Sequence, residues 1–295
     1  MMDTAPTFEQ HRSHLKGLAY RMLGSVSEAE DIVQDAYLRW HQTDTTAVDN
    51  PRAFLSKVVS RLCLDRWKDA SRKREQYVGP WLPEPLVTDD AASACELERE
   101  VSYALMLALE RLSPLERAAF LLHDVFGLPF DEVATALDRS APACRQLAAR
   151  ARQNVQAGRP RFEVGASDSR RVAEAFFAAA RQGDTTALRD LLVADATFHS
   201  DGGGVRSAAL RVITGVDKLC RLFAALARKA EGSGPLWARP MVINGLPGFL
   251  TVEQDGQLQT TALDIVDGRI AHIYIVRNPH KLTHLAERVP PNLRP

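Results

Sequence analysis

The chain has 295 residues, enough for two or three domains, and its 45% hydrophobic and 25% charged residues are typical of a soluble globular protein. Its formal net charge is zero, which alone argues against a nucleic-acid partner, but residues 52–74 and 139–159 are strongly basic and residues 84–116 strongly acidic. No apolar run approaches the roughly 18 residues of a membrane span, and the N-terminus lacks the apolar core of a signal peptide. We therefore expect a cytoplasmic protein with no membrane partner and two basic patches suited to DNA.

The cysteines predict neither a disulfide framework nor a metal site. They lie far apart without Cys-x-x-Cys spacing, so they are interpreted as small apolar residues in a reducing compartment. We expect no metal and no cofactor. The four are Cys63, Cys95, Cys144 and Cys220.

Residues 8–42 have the apolar spacing of two helices with a break near Gly24. A serine followed three residues later by a glutamate, Ser27 to Glu30, predicts a capping box that opens the second helix at Ala29. One face of this helix is mainly acidic, and it is either a solvated surface or a docking surface for a basic protein. The residues of interest on this face are Asp31, Gln34, Asp35 and Arg39.

A third helix is predicted from Pro51, because proline is tolerated in a first helical turn. Its outer side is basic and is interleaved with Trp67 and Tyr77. Backbone charge combined with aromatic stacking suits single-stranded or melting DNA, and a solvated basic helix is the alternative. The basic residues are Lys57, Arg61, Arg66, Lys68, Arg72 and Lys73.

Residues 77–94 form a linker, because their prolines and glycine disfavour helix and favour extended backbone. The apolar pair Trp81-Leu82 is unusual in a linker, so we expect it to dock on another part of the chain. An exposed chance pair is the alternative.

A helical block follows over residues 95–158, with a second capping box from Ser113 to Glu116. Its last two helices are short and flank a tight turn, which is the helix-turn-helix pattern. Ser140 is the expected N-cap of the second. The helices are predicted at Cys95–Arg111, Pro114–Phe126, Asp131–Leu137 and Ala141–Gln156.

The exposed side of this last helix suits DNA, because arginine and glutamine bind phosphates and base edges, although a solvated face is the alternative. The candidate residues are Arg139, Arg145, Gln146, Arg150 and Arg152.

Four stretches in this half resemble the RNA polymerase sigma factors of the extracytoplasmic function (ECF) family, and they occur in the family's order and spacing. They are Asp31 to Ala36, Asn50 to Leu55, Leu112 to Arg117 and Cys144 to Arg152. The resemblance implies two all-helical domains that bind core polymerase and promoter DNA. It implies that the acidic helix binds the polymerase clamp coiled coil, that the polymerase flap is a further contact, and that the two basic surfaces lie at the −10 and −35 elements.

The C-terminal part has a different composition and predicts an α+β domain. Helices are predicted at Ser169–Gln182, Thr185–Leu192 and Gly215–Ala230, and an antiparallel sheet follows. Asp255-Gly256 and Asp267-Gly268 lie between alternating apolar runs and predict hairpins. The strands are predicted at Leu236–Asn244, Phe249–Gln254, Gln259–Val266 and Ile270–Val276.

This part resembles the SnoaL-like branch of the NTF2-like fold, a helix-lined cone with an interior pocket. A sigma factor with such an extension resembles the ECF41 group, whose motifs match a linker segment, a triple glycine and a C-terminal motif, with Val205 and His280 as departures. The resemblance implies that the fused domain contacts the linker and regulates the protein. The matching contact residues are Trp81, Leu82, Pro83, Asp201, Gly202, Gly203, Gly204, Asn278, Pro279, Lys281 and Leu282.

Other functions for the C-terminal domain stay open at this point. The triple glycine either binds an anion or admits the linker backbone, and we favour the second. We predict no catalytic residues, although His199, Asp201, Asp264 and His272 are candidates to face the pocket in an enzyme. A small ligand in the pocket is the intermediate possibility.

The sequence thus predicts a multidomain sigma factor that is a monomer when free. We expect its domains at residues 1–76, 95–159 and 168–295, with the linker at 77–94 between the first two. The alternative is a ligand-sensing DNA-binding regulator that needs no polymerase, for which the acidic helix would have no use.

Overall fold

The computed structural model describes residues 5–45, 48–75, 77–89, 102–156, 166–231 and 233–294. The chain divides into two compact units. The first comprises Met1–Gln76 and Ala104–Arg159, and the second comprises Tyr77–Tyr103 and Pro160–Pro295.

The first unit is all helical. Its helices are α1 (Ala5–Leu23), α2 (Val26–His41), α3 (Pro51–Glu75), α4 (Tyr103–Glu110, which starts at the unit boundary), α5 (Pro114–Phe120), a π-helix (Leu121–Val125), α6 (Phe130–Leu137) and α7 (Ala141–Gln156). Helices α1, α2 and α3 pack around Leu15, Leu18 and Val59, which are fully buried. The predicted helix Cys95–Arg111 is described only from residue 102 onward.

Two helix starts show how capping chemistry sets the boundaries. The capping box predicted at Ser113 is confirmed, since its hydroxyl accepts from the Glu116 amide and the Glu116 carboxylate accepts from the Ser113 amide. The box predicted at Ser27 is wrong. Helix α2 begins at Val26, three residues earlier than predicted, where the Ser25 hydroxyl accepts from the Glu28 amide at 3.1 Å. Ser25 also stands three residues before a glutamate, and it directly follows the break at Gly24.

The predicted helix Pro114–Phe126 is not regular throughout. It changes after Phe120 into the π-helix, in which the Phe126 amide donates to the Leu121 carbonyl, five residues back, at 2.9 Å. The apolar spacing of the sequence gives no signal for this extra residue. One consequence is the placement of Phe126, described below.

The second unit is a seven-stranded sheet covered on one face by three helices. The helices are α8 (Ala166–Gln182), α9 (Thr185–Leu191) and α10 (Val216–Lys229). The strands are β1 (Val87–Thr88), β2 (Leu192–Asp201), β3 (Ile213–Thr214), β4 (Trp237–Ile243), β5 (Leu246–Val252), β6 (Leu258–Val266) and β7 (Arg269–Val276), in the order β1-β4-β5-β6-β7-β2-β3. Three 3₁₀ turns end the chain, at Pro279–Lys281, Thr283–Arg288 and Pro291–Leu293.

The prediction of a purely antiparallel sheet is wrong, because β2 pairs with β7 in parallel. The sequence analysis missed β2. Its inward positions include the small residue Ala196, so the alternation that marks a half-buried strand is weak there. The predicted turn at Asp267-Gly268 is confirmed, with both residues at positive φ as a type I′ hairpin requires. A second such turn, Asn244-Gly245, joins β4 to β5.

The interior of the second unit is filled with aromatic side chains. Phe176 and Phe198 both meet Phe223 edge to face, with ring centroids 5.2 and 5.8 Å apart, in the space between the helices and the sheet. This is the interior in which the sequence predicts a pocket. A groove opens between α8 and α10.

Candidate functional site

Helices α6 and α7 form the predicted helix-turn-helix. Helix α6 ends at Asp138, whose φ of 55° reverses the chain, and the Ser140 hydroxyl accepts from the Ala143 amide at 3.4 Å in the first turn of α7. Cys144, Ala148 and Ala151 are buried on the inner side of α7. Four of the five candidate residues are exposed, namely Arg139, Arg145, Gln146 and Arg150.

The fifth candidate, Arg152, is placed differently. Its Nε lies 2.6 Å from a carboxylate oxygen of Asp124 on the π-helix, and the side chain is only partly exposed. This ion pair fixes α7 against the π-helix. Any contact of Arg152 with DNA therefore competes with an existing partner.

The basic side of α3 is partly occupied by the helix-turn-helix. Arg61 donates from Nε to the Ala136 carbonyl at 3.3 Å and from Nη2 to the Thr135 carbonyl at 3.5 Å. These carbonyls belong to the last turn of α6, where helical partners are lacking and the helix dipole attracts a cation. Lys57 and Arg66 are partly exposed. Lys68, Arg72 and Lys73 lie on the helical backbone of α3, and their side chains are outside the described part.

The two aromatic residues expected beside this basic strip do not face it freely. Trp67 is 8% exposed and packs inside the first unit under the Arg117 guanidinium. The Tyr77 hydroxyl donates to the Asp201 carboxylate in the second unit. In this structure Trp67 and Tyr77 therefore contact other parts of the protein.

The acidic face of α2 is open. Its inner residues Ile32, Val33 and Ala36 are buried in the first unit, and helical periodicity turns the opposite face outward. All four candidate residues on that face are exposed, namely Asp31, Gln34, Asp35 and Arg39.

Two buried arginines join the helices of residues 5–75 to the helices of residues 104–156. Arg117 is 0% exposed, donates to the Leu109 carbonyl at 2.6 and 2.9 Å and to the Met22 carbonyl at 2.7 Å, and lies 5.1 Å from the centre of the Trp67 ring. It therefore caps α1 and α4 together.

The second of these arginines lies on the other set of helices, and its aromatic partner lies on the opposite set. Arg21 on α1 is 1% exposed and lies 5.2 Å from the centre of the Phe126 ring, which follows the π-helix. The His14 ring meets Phe126 edge to face at 4.5 Å, and Arg52 donates to the Phe126 carbonyl at 3.3 Å. Each side thus supplies one buried arginine and one aromatic ring, and we call this pair the arginine–aromatic clamp, formed by Arg21, Phe126, Arg117 and Trp67.

In the second unit, the linker contacts a buried carboxylate. Asp201 is 0% exposed at the end of β2, and it accepts from the Leu82 amide at 2.8 Å and from the Tyr77 hydroxyl at 2.5 Å. Lys281 pairs with it at 2.8 Å and also donates to the Leu82 carbonyl at 2.5 Å. Burial and the hydrogen bond to Asp201 raise the pKa of Tyr77, so its hydroxyl stays a donor. We call these contacts the linker dock, formed by Tyr77, Leu82, Asp201 and Lys281.

Aromatic rings complete the linker dock. The Lys281 ammonium lies 4.2 Å from the centre of the Trp81 ring and 4.8 Å from that of Tyr77. Asn278 donates to the Tyr77 hydroxyl at 2.8 Å. The ammonium is thus held between the carboxylate, a carbonyl and two rings. These contacts compensate part of its desolvation cost.

The triple glycine makes room for this arrangement. A Cβ on Gly203, whose φ is +62°, would lie 2.2 Å from the Asn278 amide nitrogen, and a Cβ on Gly204 would lie 3.2 Å from the Val78 side chain. A Cβ on Gly202 would lie 2.2 Å from the Arg206 carbonyl oxygen. The linker thus approaches only Gly204, through the Val78 side chain, while Gly203 makes room for Asn278 and Gly202 for the Arg206 carbonyl.

Further along, the linker adds a strand to the sheet. The backbone amide of Asn244 donates to the Leu86 carbonyl at 2.8 Å, and its side-chain oxygen Oδ1 accepts from the Leu86 backbone amide at 3.0 Å. Val87 and Thr88 then pair with β4. The His284 ring lies 2.9 Å from the Pro85 carbonyl oxygen. Sequence analysis missed Tyr77 as a docking residue and missed Asn244, although Asn-Gly after a strand is a hairpin signal. Pro83 and Leu82 are buried, as are Asn278 and Leu282 at the C-terminal motif.

The four residues considered for catalysis lie on the sheet face away from the helices. Ala196 and Phe198 of β2 face the helices, so His199 and Asp201 face the other way. The Thr197 hydroxyl lies 3.0 Å from His199 Nε2 and 2.7 Å from His272 Nδ1. Burial raises the pKa of Asp264, and the facing His272 opposes that shift. The expectation that these residues face an interior pocket is wrong.

Among the described residues, no group of histidine, cysteine, aspartate and glutamate could hold a metal ion. No helix in the described ranges has the length and apolarity needed to cross a membrane.

Comparison with known families now identifies the class of protein. The model of sigma-70 region 2 matches residues 7–73, and that of sigma-70 region 4 matches residues 102–155. The chain is therefore an RNA polymerase sigma factor, and residues 5–75 and 104–156 are referred to below as region 2 and region 4.

The particular family follows from full-length relatives. The chain is 40% identical over 290 residues to the "ECF RNA polymerase sigma factor SigJ" of Mycobacterium tuberculosis (strain ATCC 25618 / H37Rv), covering 94% of this chain and 92% of that protein. It is 35% identical over 280 residues to the "Probable ECF RNA polymerase sigma factor SigI" of the same organism, covering 93% of each. The crystal structure of the M. tuberculosis SigJ protein superposes with a TM-score of 0.76 at 37% identity, covering 95% of this chain and 98% of that one. This chain belongs to the ECF sigma factor family.

Proposed function

We propose that this sigma factor is held in a resting state by its own linker, which is docked on the C-terminal domain, and that release of the linker permits promoter binding. The observation that carries the proposal is the buried Asp201–Lys281 pair, because both of its members also bond the linker backbone at Leu82. The linker supplies this buried pair with a backbone amide donor and a carbonyl acceptor, which compensate part of the cost of removing the two charges from water. The C-terminal domain is thus built around a bound linker.

Docking of the linker restricts region 2 and region 4 because the linker connects them. The linker joins region 2 to region 4, and a free chain of the length of Tyr77–Tyr103 would extend up to about 90 Å. While residues 77–88 are fixed along the C-terminal domain, these residues no longer extend freely, which removes about 40 Å of that reach. Docking therefore limits the separations of the two DNA-binding regions that a promoter can use.

We assign the promoter and polymerase contacts on exposure and charge. The outer side of α7 is proposed to bind the −35 element, the basic side of α3 the −10 element, and the acidic face of α2 the polymerase clamp. The contacts of Arg61 support the proposal that region 2 and region 4 separate before DNA binds. The guanidinium proposed to contact the −10 element caps α6 in the resting state. The arginine–aromatic clamp is a second restraint on region 4 leaving region 2.

The C-terminal domain is proposed to regulate rather than to catalyse. Asp201 is saturated by the linker and by Lys281, and His199 and His272 lie within hydrogen-bonding distance of Thr197 on the sheet face away from the helices. We expect the protein to work in the cytoplasm as a free monomer that joins core polymerase.

The test is a reversible disulfide crosslink that holds the linker on the C-terminal domain. Val87 and Ile243 face each other across the β1–β4 pair, so Val87→Cys with Ile243→Cys places two thiols at neighbouring positions of antiparallel strands. We expect the oxidised double variant to initiate poorly with purified core polymerase on a cognate promoter, and reduction to restore initiation. The protein with Val87→Cys alone, carried through the same oxidation, is the matched control.

Equal initiation by the oxidised and reduced double variant, with the crosslink verified by mass, would contradict the resting-state proposal. It would leave membership of the family untouched. Binding of core polymerase is measured in parallel, which separates failure to bind polymerase from failure to open on DNA.

A further inference from the structure

A groove of about 600 Å³ opens between α8 and α10 of the C-terminal domain, apart from the linker dock. Its volume is in the range of small-molecule sites. Its floor is the pair Phe177 and Phe249, whose rings stack with centroids 4.2 Å apart and planes 16° from parallel. Small residues on both helices leave the space open above the rings, namely Ala178, Ala224 and Ala227. The groove therefore has an apolar lining of small residues and a stacked aromatic pair between two helices.

The groove is narrow at one end. A Cβ on Gly183 would lie 3.0 Å from the Ala227 Cβ, so the end of α8 and the side of α10 approach closely there. The resulting space narrows toward Gly183 and has two aromatic side chains in its lining. Such a shape suits one small molecule with an apolar body.

The rim of the groove is positively charged. Arg181 and Arg228 line it together with a single acid, Glu174, and among the described residues none of the three takes part in an ion pair. A ligand bearing one negative charge therefore finds two cations and one anion there. Charge complementarity selects an anionic over a cationic ligand.

Arg181 is also held in position. Its guanidinium carbon lies 5.5 Å from the centre of the Phe177 ring, and its other side lies against Gly234, where a Cβ would be 1.3 Å from Nη2. The guanidinium is thus fixed between a ring and a stretch of bare backbone. A planar donor held in this way loses little entropy when it binds a carboxylate in two-point fashion.

We propose that this groove binds a small amphiphilic carboxylate, with its apolar body on the Phe177–Phe249 floor and its carboxylate on Arg181. Phe249 also belongs to the hydrophobic core of the second unit, and the inference does not depend on the resting-state proposal. The floor residue Phe249 pairs with Pro240 of β4, the strand that also carries the linker strand β1. A ligand on the floor therefore acts on the same part of the sheet that holds the linker.

The experiment uses the full-length protein and the fluorescent probe 11-(dansylamino)undecanoate. We expect saturable one-to-one binding in the micromolar range, displaced by dodecanoate and at least tenfold less well by dodecanol. Arg181→Gln should weaken binding about tenfold or more, because a charge-assisted hydrogen bond to the carboxylate is lost. Gly234→Ala should do the same by displacing the guanidinium. Arg221→Gln, an exposed arginine of α10 outside the groove, is the matched control and should bind as the wild type does.

Filling the groove supplies an independent test. Ala227→Phe places a ring in the slot and should abolish probe binding, with folding verified by circular dichroism and a melting curve. Absence of saturable binding to the wild type, or equal affinity in the Arg181→Gln and wild-type proteins, overturns the proposal. Equal competition by dodecanol overturns the carboxylate assignment. Displacement by an apolar helical peptide but not by dodecanoate shows that a protein segment is the occupant instead.

Discussion

Asp201→Ala gives the sharpest test of the linker dock. In the folded protein the carboxylate is fully buried, accepts from the linker at Tyr77 and Leu82, and neutralises Lys281. Hydrogen bonds to a charged group contribute about 1.5–3 kcal/mol each, so losing two linker bonds costs at least about 3 kcal/mol. That corresponds to roughly a 150-fold shift of the docking equilibrium toward free linker.

The same change strands a buried ammonium, for which a total loss of about 3–5 kcal/mol in unfolding free energy is expected. Lys281→Met added to Asp201→Ala should recover part of this loss, because no unpaired charge then remains. Asp217→Ala is the matched control. It removes an acid from the exposed ion pair with Arg189 and should cost less than about 1 kcal/mol.

Three measurements report the effect. Limited proteolysis follows cleavage within the linker, Trp81 emission follows the loss of its ammonium neighbour, and urea titration gives the free energy of unfolding. If Asp201→Ala leaves the cleavage rate of the linker unchanged and costs less than 1 kcal/mol, the linker is not held by this carboxylate. The reasoning from burial and charge would then be refuted.

Three further outcomes are expected. Arg117→Met should lower the unfolding free energy by about 3–5 kcal/mol, because the Met22 and Leu109 carbonyls lose a buried donor. The control Arg111→Met, at an exposed site, should cost under 1 kcal/mol in the same urea titration. Equal costs would contradict a capping role for Arg117. Asp31→Arg combined with Asp35→Arg should abolish co-purification with core polymerase at an unchanged melting temperature, and retained co-purification would remove α2 from the interface. Burial and the neighbouring Arg52 lower the pKa of His14 to about 4. The free energy of unfolding should therefore fall by about 1–2 kcal/mol, discounted for partial solvent exposure, as pH drops from 6.5 toward 4. His14→Gln should flatten this dependence on pH, and parallel profiles of unfolding free energy against pH for the wild type and the variant would refute the assignment.

The sign of the His14 effect follows from proton binding. The unfolded imidazole has its ordinary pKa near 6.5, above the folded value of about 4. Between these two pH values the unfolded state binds more protons, so acidification favours unfolding. The neutral ring lies 2.9 Å from the Ser56 hydroxyl, which a glutamine also reaches as a hydrogen-bonding partner.

Local chemistry made much of the helical half predictable. Helices α6 and α7 follow from apolar spacing and a capping serine, and their predicted bounds are within one residue of the structure. The start of α2 was misplaced because two serines stand three residues before glutamates, and only the chain reversal at Gly24 selects Ser25. The π-helix has no signal in residue type at all, because it differs from an α-helix by one hydrogen-bond step.

The contacts between distant segments were less accessible. An apolar pair in a Pro-rich linker predicts docking of Trp81 and Leu82, but residue types do not say that a buried aspartate and lysine receive them. Arg117 carries no mark of burial, since arginine is usually exposed and its partners are backbone carbonyls of two other helices. Strand β2 was hidden because Ala196 stands where a large apolar residue would mark the pattern.

The position of β1 has a consequence for solubility. It covers the end of β4 at Val242 and Ile243, while Pro240 has no amide to donate and Arg239 pairs with Asp89 of the linker. A sheet edge that loses its covering strand exposes unpaired backbone groups and becomes a template for another chain. Undocking of the linker therefore converts a paired sheet edge into an unpaired one. The undocked form is expected to self-associate at concentrations at which the docked form stays monomeric. Binding to polymerase would then compete with aggregation for every molecule that opens.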